Sequence, residues 1–157
     1  MRIRPATAAD LETIDRLIRA LAEYERLLPE VTMEREQLGR HLFGERPFAE
    51  VLIAEEDGEA AGFALFFHNF STFVGKPGIY LEDLFVLPDK RGLGIGRALL
   101  KRLAQLAVER DCGRLEWAVL DWNSDAIGFY ERLGARPNSD WTTYRLTGAS
   151  LRKVASD

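Results

Sequence analysis

The stretch LEDLFVLPDKRGLGIGRALL, residues 81–100, restricts the folds open to this chain more than any other. It reads as an apolar strand over 81–87, a turn at Pro88 and Asp89, a glycine-punctuated loop (Arg91-Gly92-Leu93-Gly94-Ile95-Gly96), and a helix from about Arg97. Strand, glycine loop and helix together make an anion-binding arrangement. Glycines let the backbone turn tightly and approach a ligand, and the unsatisfied amides and positive dipole end of the following helix stabilise negative charge. The dinucleotide fingerprint requires G-x-G-x-x-G, but here the glycines fall as G-x-G-x-G and Arg97 stands where the third is needed. A P-loop requires Gly-Lys followed by Ser or Thr, and that triplet is absent from the sequence. What remains is Arg-x-x-Gly-x-Gly, carried by Arg91, Gly94 and Gly96.

With 157 residues and 46% apolar content, the chain is long enough for one well-buried core and short for two, so a single domain over 1–157 is expected. Its net charge is −4, from 21 basic and 25 acidic residues, which offers no basic footprint for nucleic acid or for a membrane surface. Cationic or neutral ligands suit this balance better. A single cysteine, Cys112, cannot form an internal disulfide, and no apolar run of membrane-spanning length or signal-like start is present. A soluble, cytoplasmic protein is the expectation.

Taken in order, the chain opens with a short strand ending at Pro5. A helix follows, with Thr7 as cap, Asp10 in the capping-box spacing, and Leu11, Ile14, Leu17, Ile18 and Leu21 on one face. Tyr24 and Glu25 stand where that helix runs out. A second helix is predicted over 33–43, with Thr32 as cap and Gly44 as stop. Strands over 51–55 and 60–67 flank Asp57-Gly58, a hairpin signal, and residues 68–78 read as a loop. After the glycine loop, helical periodicity runs to about Arg110. A strand over 115–120 follows, then a short helix capped by Asn123 or Ser124 and ended by Gly134. The alternating segment 141–146 reads as a last strand and 149–155 as a terminal helix. The order β-α-α-β-β-β-α-β-α-β-α implies a mixed α/β sheet with helices on both faces.

This order, the Arg-x-x-Gly-x-Gly loop after the fourth strand, and an Asn-containing turn with a Phe-Tyr-x-x-x-Gly helix after the fifth resemble the GNAT superfamily of N-acetyltransferases. Within it the chain resembles the diamine and thialysine acetyltransferases through IRPATAAD, YLEDLFV, RGLGIG, AVLDWN and FYERLGA, runs spread over nearly its whole length. The resemblance implies the acyl-CoA N-acyltransferase fold with a mostly antiparallel sheet, acetyl-CoA as cosubstrate, a small-molecule primary amine as acceptor, direct attack in a ternary complex, no metal, and a homodimer. A protein or peptide amine as acceptor, or a non-catalytic acetyl-CoA-binding module, are the alternatives. One departure stands out: the polyamine-preferring branch carries an acid in the loop after the third strand, where this chain has Asn69-Phe70-Ser71-Thr72-Phe73. The resemblance therefore does not extend to a spermidine or spermine preference.

Acetylating an amine demands a neutral nucleophile. A lysine-like ammonium with a pKa of about 10.4 is neutral in roughly one molecule in 2,500 at pH 7, a demand of about 4.6 kcal/mol, whereas a thiol of pKa about 8.5 makes the leaving thiolate only about 2 kcal/mol uphill. A general base should matter more than a general acid. Glu82 is the candidate base. Strand alternation sets Glu82 and Leu84 on one side and Asp83 and Phe85 on the other, so one of the two carboxylates should face a cleft, the other readings being a solvated edge or an ion pair. The resemblance assigns Glu82 as base, acting through water, and leaves Asp83 to bind the substrate ammonium or organise the backbone. It makes Tyr130 the candidate acid at the CoA sulfur, against an ordinary core tyrosine. Leu84, Phe85 and Val86, the loop Arg91, Gly92, Leu93, Gly94, Ile95, Gly96 and Arg97, and also Asn123 and Arg132, are the expected cofactor contacts; Asn123 also suits a helix cap and Arg132 an exposed helical position. Tyr24, Glu25, Glu82, Asp83, Asp121 and Trp122 are the expected acceptor contacts. Cys112, with no histidine at a partner spacing, reads as a small buried hydrophobe.

Overall fold

A computed structural model describes residues 1–156 of the chain. They fall into two compact units, Met1–Ala118 and a second from Val119 onward. The first unit holds β1 (Arg2–Pro5), α1 (Leu11–Tyr24), α2 (Arg35–Phe43), β2 (Glu50–Glu56), β3 (Glu59–Ser71), β4 (Lys76–Val86), α3 (Ile95–Glu109) and β5 (Leu115–Trp117). Its sheet runs β1-β2-β3-β4-β5, antiparallel except where β5 joins β4 in parallel. The second holds α4 (Ser124–Arg132) and α5 (Gly148–Ser156).

Local chemistry explains most of these elements. Asp57 and Gly58 both take positive φ, 52° and 81°, the backbone that a two-residue hairpin turn requires, and they join β2 directly to β3. At the start of α1, the Thr7 backbone N–H donates to Asp10 Oδ2 at 2.7 Å, closing one arm of the predicted capping box around a single 3-10 turn. Arg4 then grips Asp10 through both Nη atoms at 2.8 Å and Glu55 through Nε at 2.7 Å, tying β1, α1 and β2 together. These bonds hold the Asp10 carboxyl down at about 2.

The apolar residues separate onto two faces of the sheet. Val51, Ile53, Phe63, Leu65 and Phe85 pack with Ile14 and Leu17 of α1 and Leu42 of α2. Alternation turns Leu52, Ala54, Ala64 and Phe66 to the opposite face, the side of the buried stripe Ile95, Leu99, Leu103 and Leu106 of α3. Arg110, just past α3, forks onto Glu50 at 2.7 and 2.9 Å and so fixes that helix against the start of β2. The segment between α1 and α2 is held by Asp15, 4% exposed, which accepts from Arg19 Nε at 2.7 Å and Arg35 Nε at 2.8 Å. Arg19 also donates to the Met33 carbonyl at 3.1 Å. Burial alone would raise the Asp15 carboxyl; the two guanidinium bonds outweigh it and leave it below its ordinary value.

Several expectations are corrected. Residues 68–78 are not a loop: β3 runs on to Ser71 and β4 begins at Lys76, so only four residues form the turn. The ladder continues through Phe70↔Pro77, and backbone pairing overrides a sequence without clear period. The second helix starts at Arg35 with Glu34 at its cap, not at Met33, and α3 starts at Ile95, ahead of Arg97. The fifth strand stops at Trp117. No strand forms over 141–146: Trp141, Tyr144 and Leu146 are exposed, so the alternation there has no buried face to serve. Cys112 is half-buried rather than buried.

Because Asp10 sits well below its unfolded value of about 3.8, its contribution is complete above that pH and is lost as pH falls toward 2. Asp10→Asn is expected to cost roughly 2 kcal/mol at pH 7 and to flatten the acid limb of stability, measured by urea unfolding between pH 2 and pH 7.

Candidate active site

The site in the first unit depends on an irregularity in β4. Leu65 of β3 pairs with Asp83, but its neighbour Phe66 pairs with Leu81, so Glu82 is an extra residue with no partner across the ladder. A bulge of this kind bends the strand and re-aims the side chains around it. Cross-strand partners share a face, so Asp83 lies with Leu65 on the α1 side while Leu81 lies with Phe66 on the α3 side. Strict alternation would have put Leu81 and Asp83 on the same face. The expected pairing of Asp83 with Phe85 on one side holds, since their partners Leu65 and Phe63 both belong to the core under α1. Glu82 itself is exposed.

Three carboxylates come together here. Asp83 is half-buried, and its carboxyl is pushed up to about 7, first by burial and then by the negative charges of Glu82 and Glu25. Glu25, just past the end of α1, is itself raised by burial. Tyr24, one residue earlier, sets its ring 6.3 Å from that of Phe85. The Arg91 guanidinium lies 4.5 Å from the Tyr24 centroid and 5.7 Å from that of Phe85, and its Nε donates to the Val86 carbonyl at 3.2 Å. Along the same strand Tyr80 stacks at 5.2 Å on Phe67; burial raises its hydroxyl pKa, helped by Glu82 and Glu116.

Cofactor recognition by the glycine loop can be judged from its own geometry. Gly92 and Gly94 have φ of 81° and 79°, and a Cβ on either would meet open space. The left-handed backbone, rather than crowding, is therefore what requires glycine at both positions. Gly94 is the cap of α3 and brings no side-chain acceptor to it, so the first-turn amides keep their capacity for an anionic group. Leu93 and Arg97 are exposed, and Ile95 is buried under the helix. These features fit a pyrophosphate. Leu84, Phe85 and Val86 pair with Ala64, Phe63 and Gly62; the Phe85 side chain points into the core, leaving its backbone alone for any cofactor contact.

The remaining expected residues belong to the second unit. Asn123 is buried and caps α4, its Oδ1 accepting from the Ala126 N–H at 3.3 Å. The Tyr130 ring lies 5.5 Å from that of Phe129. Asp121 and Trp122 are exposed in the turn before α4. Arg132 folds back along its own helix, its Nη1 only 3.3 Å from where a Cβ on Gly128 would lie. Among the described residues no group of three or more His, Cys, Asp and Glu side chains is arranged to hold a metal ion, and no helix is long and apolar enough to cross a membrane. The bulge at Glu82 and the reach of Arg91 to Tyr24 were missed by the sequence reading, and no local signal announces either.

Asp83 titrates upward on folding, so its ionisation opposes the folded state progressively as pH rises from about 4 through 7. Asp83→Asn is expected to remove that penalty, with a gain of up to about 4 kcal/mol at pH 8 and little change at pH 4, read from urea midpoints of both proteins across this range.

Comparison with known proteins agrees with this architecture. The chain matches the Acetyltransferase (GNAT) family over residues 14–135. It is 40% identical to a thialysine N-epsilon-acetyltransferase of Sus scrofa, over 98% of this chain and 96% of that protein. It is 33% identical to an L-ornithine N5-acetyltransferase of Arabidopsis thaliana, over 98% of this chain and 87% of that protein. A solved structure, an integron cassette protein from the mobile metagenome of V. cholerae, superposes with a TM-score of 0.83 at 28% identity, covering 99% of this chain and 98% of the other. With a mixed, mostly antiparallel sheet opening into a glycine loop and helix, and with these relatives along its whole length, the chain belongs to the GNAT acetyltransferase family and is an N-acetyltransferase.

Proposed function

We propose that this enzyme transfers an acetyl group from acetyl-CoA to a primary amine of a small molecule, lysine-like or a diamine, by direct attack in a ternary complex. The observation that carries the reading is the closeness of Glu25 and Asp83, both half-buried, and the exposed Glu82, at the end of the helix that carries Tyr24, since neighbouring carboxylates and an aromatic face select an ammonium. Relatives named for the terminal amines of thialysine and ornithine support an acceptor of that class. The family match crosses the boundary between the two units, which supports treating both as one catalytic domain. A cytoplasmic homodimer completes the reading on the family resemblance alone.

Bound acetyl-CoA supplies an activated thioester carbonyl. The amides of residues 92–97 hold its pyrophosphate at the start of α3, and Asn123 and Arg132 contact the cofactor arm and a phosphate. Tyr24, Glu25 and Asp83 hold the acceptor as an ammonium; Asp121 and Trp122 join the acceptor contacts on the family resemblance alone. Glu82, released from the ladder by the bulge, takes one proton from the ammonium through water, and the freed lone pair of the amine bonds to the carbonyl carbon. As the carbon–sulfur bond breaks, Tyr130, in the role the family resemblance gives it, passes its proton to the departing thiolate and is reprotonated by the second proton that the nitrogen gives up.

The reading is tested by following free-thiol release from acetyl-CoA with lysine, thialysine, diamines, polyamines and an amino-terminal peptide. Thialysine, lysine-like amines or diamines should be turned over fastest; preference for the peptide, or no release with any amine, overturns the proposal. In the same assay Glu82→Gln should lower kcat/KM by roughly a hundredfold or more and move its pH optimum upward, while Tyr130→Phe should lower kcat only moderately. A normal rate and pH profile in Glu82→Gln would remove Glu82 from the mechanism.

A further inference from the structure

We propose that Arg114 and Glu116, at the start of β5, read the head group of a free basic amino acid: Glu116 takes its α-ammonium and Arg114 its α-carboxylate while the side-chain amine lies at Glu25, Glu82 and Asp83. This narrows the acceptor class proposed above and rests on it. The placement follows from register. Asp83 pairs with Leu65 and Tyr80 with Phe67, two residues apart on β3, so Asp83 and Tyr80 share the α1-side face about 7 Å apart along the strand, with the bulge at Glu82 between them. On its other side Tyr80 pairs with Glu116 of the parallel strand β5, which sets Glu116 on that same face one strand spacing away, about 4.8 Å. Glu116 therefore lies about 8 Å from Asp83 along the sheet, a distance that the four-carbon stem of a lysine-like acceptor and its head group cover.

Side-chain contacts fix this far end. Asn69, whose strand partner is Gly78, donates its Nδ2 to Glu116 Oε1 at 2.6 Å, and Arg114 Nε lies 3.2 Å from the same oxygen. Both partners use Oε1, so among the described residues Glu116 Oε2 and the Arg114 Nη atoms are left for a ligand. Gly78 permits the closure, because a Cβ there would collide with Asn69 Oδ1 and with Cγ of Arg114. Between the two ends stands Tyr80, its ring 5.2 Å from that of Phe67. Burial, and then the charges of Glu82 and Glu116, raise its hydroxyl, so the half-buried ring is within electrostatic reach of a carboxylate on either side. Such a ring offers an apolar surface to an aliphatic stem and a π face to a cation.

Charge decides which acceptors this end accepts. Arg114 and Glu116 form a neutral pair, and the head group of a free amino acid at pH 7 is a neutral pair of opposite polarity, so each charge of the ligand meets its complement. A diamine of the same length brings a second ammonium alone. It can reach Glu116 only beside the Arg114 guanidinium, and it leaves Arg114 without an anion. The pair therefore favours the amino acid over the diamine by repulsion as well as attraction.

The test uses the full chain and follows thiol release at saturating acetyl-CoA with lysine, lysinamide, which lacks the carboxylate charge, and 1,5-diaminopentane, which lacks the carboxylate altogether. In the parent enzyme kcat/KM for lysine should exceed that for either of the others by about tenfold or more, the size of one charge-assisted hydrogen bond. Arg114→Gln should lower kcat/KM for lysine about tenfold, chiefly through KM, while the value for 1,5-diaminopentane holds or rises and shows that the enzyme is folded and active. Glu116→Gln should raise KM for lysine severalfold with kcat little changed. Lys76→Gln removes a neighbouring cation that is paired with Asp111 instead, and should leave the preference for lysine as it was. The proposal is overturned if the parent uses 1,5-diaminopentane as well as lysine, or if Arg114→Gln lowers the two alike. Failure of the functional reading itself looks different: none of the three amines would then release thiol in the unsubstituted enzyme.

Discussion

The pairing of β3 with β4, with one residue too many on the β4 side, is the constraint on which the rest of the site depends. Leu81, Glu82 and Asp83 must satisfy three different surroundings within three residues: a core under α3, an exposed position, and a half-buried position on the α1 side. A regular strand offers only two directions and would return Leu81 and Asp83 to the same face. The bulge resolves this by dropping Glu82 out of the ladder, so that Leu81 stays opposite Phe66 and Asp83 stays opposite Leu65. Both hydrophobic faces of the sheet then close without a break, and the unpaired residue is the carboxylate proposed as base. Four residues later β4 ends, and the same strand delivers the chain to the glycine loop.

What the sequence made legible is what short-range physics decides. Asp57-Gly58 was readable as a hairpin because both residues tolerate the positive φ the turn demands, and the Thr7–Asp10 spacing was readable as a cap because the bond closes within one turn. Gly92 and Gly94 fall in the same class, as does the assignment of Asn123 to the head of α4. The bulge belongs to another class. Whether Glu82 is paired depends on the register of a strand some sixteen residues earlier in the chain, and nothing near Glu82 encodes it. Pairing also explains the misread segment 68–78, where Phe70 and Pro77 have little strand signal of their own but complete a ladder begun farther in. The reverse error occurred at 141–146, whose alternation is of the right kind but has no buried face.

Arg91 shows the same limit on the scale of side chains. The loop motif correctly marks its backbone as the start of an anion-binding turn, but a motif says nothing about where a long flexible side chain goes. Here it is the aromatic pair Tyr24 and Phe85, brought together by α1 and β4 from positions sixty residues apart, that offers the guanidinium a face. That contact joins the glycine loop to the end of α1, and only the tertiary fold makes it visible.

As the proposed acceptor site, the group Glu25, Glu82 and Asp83 carries a conflict that its electrostatics must moderate. Carboxylates that attract an ammonium also hold its proton: a single negative charge at about 4 Å, at an effective dielectric of about 20, stabilises the protonated amine by about 4 kcal/mol, nearly doubling the 4.6 kcal/mol already needed to free the nitrogen at pH 7. Three fully ionised carboxylates would bind the acceptor well and prevent its reaction. Burial changes the balance by pushing the Asp83 carboxyl up to about 7, and by raising Glu25 as well. Arrival of an ammonium favours the charged form of Asp83, and departure of the amine's proton favours the neutral form. In that reading the carboxylate group loses negative charge as the amine loses positive charge. Glu82 is exposed on the bulge, where water reaches it. In the proposed reading the half-buried Asp83 holds the cation and the exposed Glu82 takes its proton, a division of tasks that the bulge at Glu82 allows and a single acid would not.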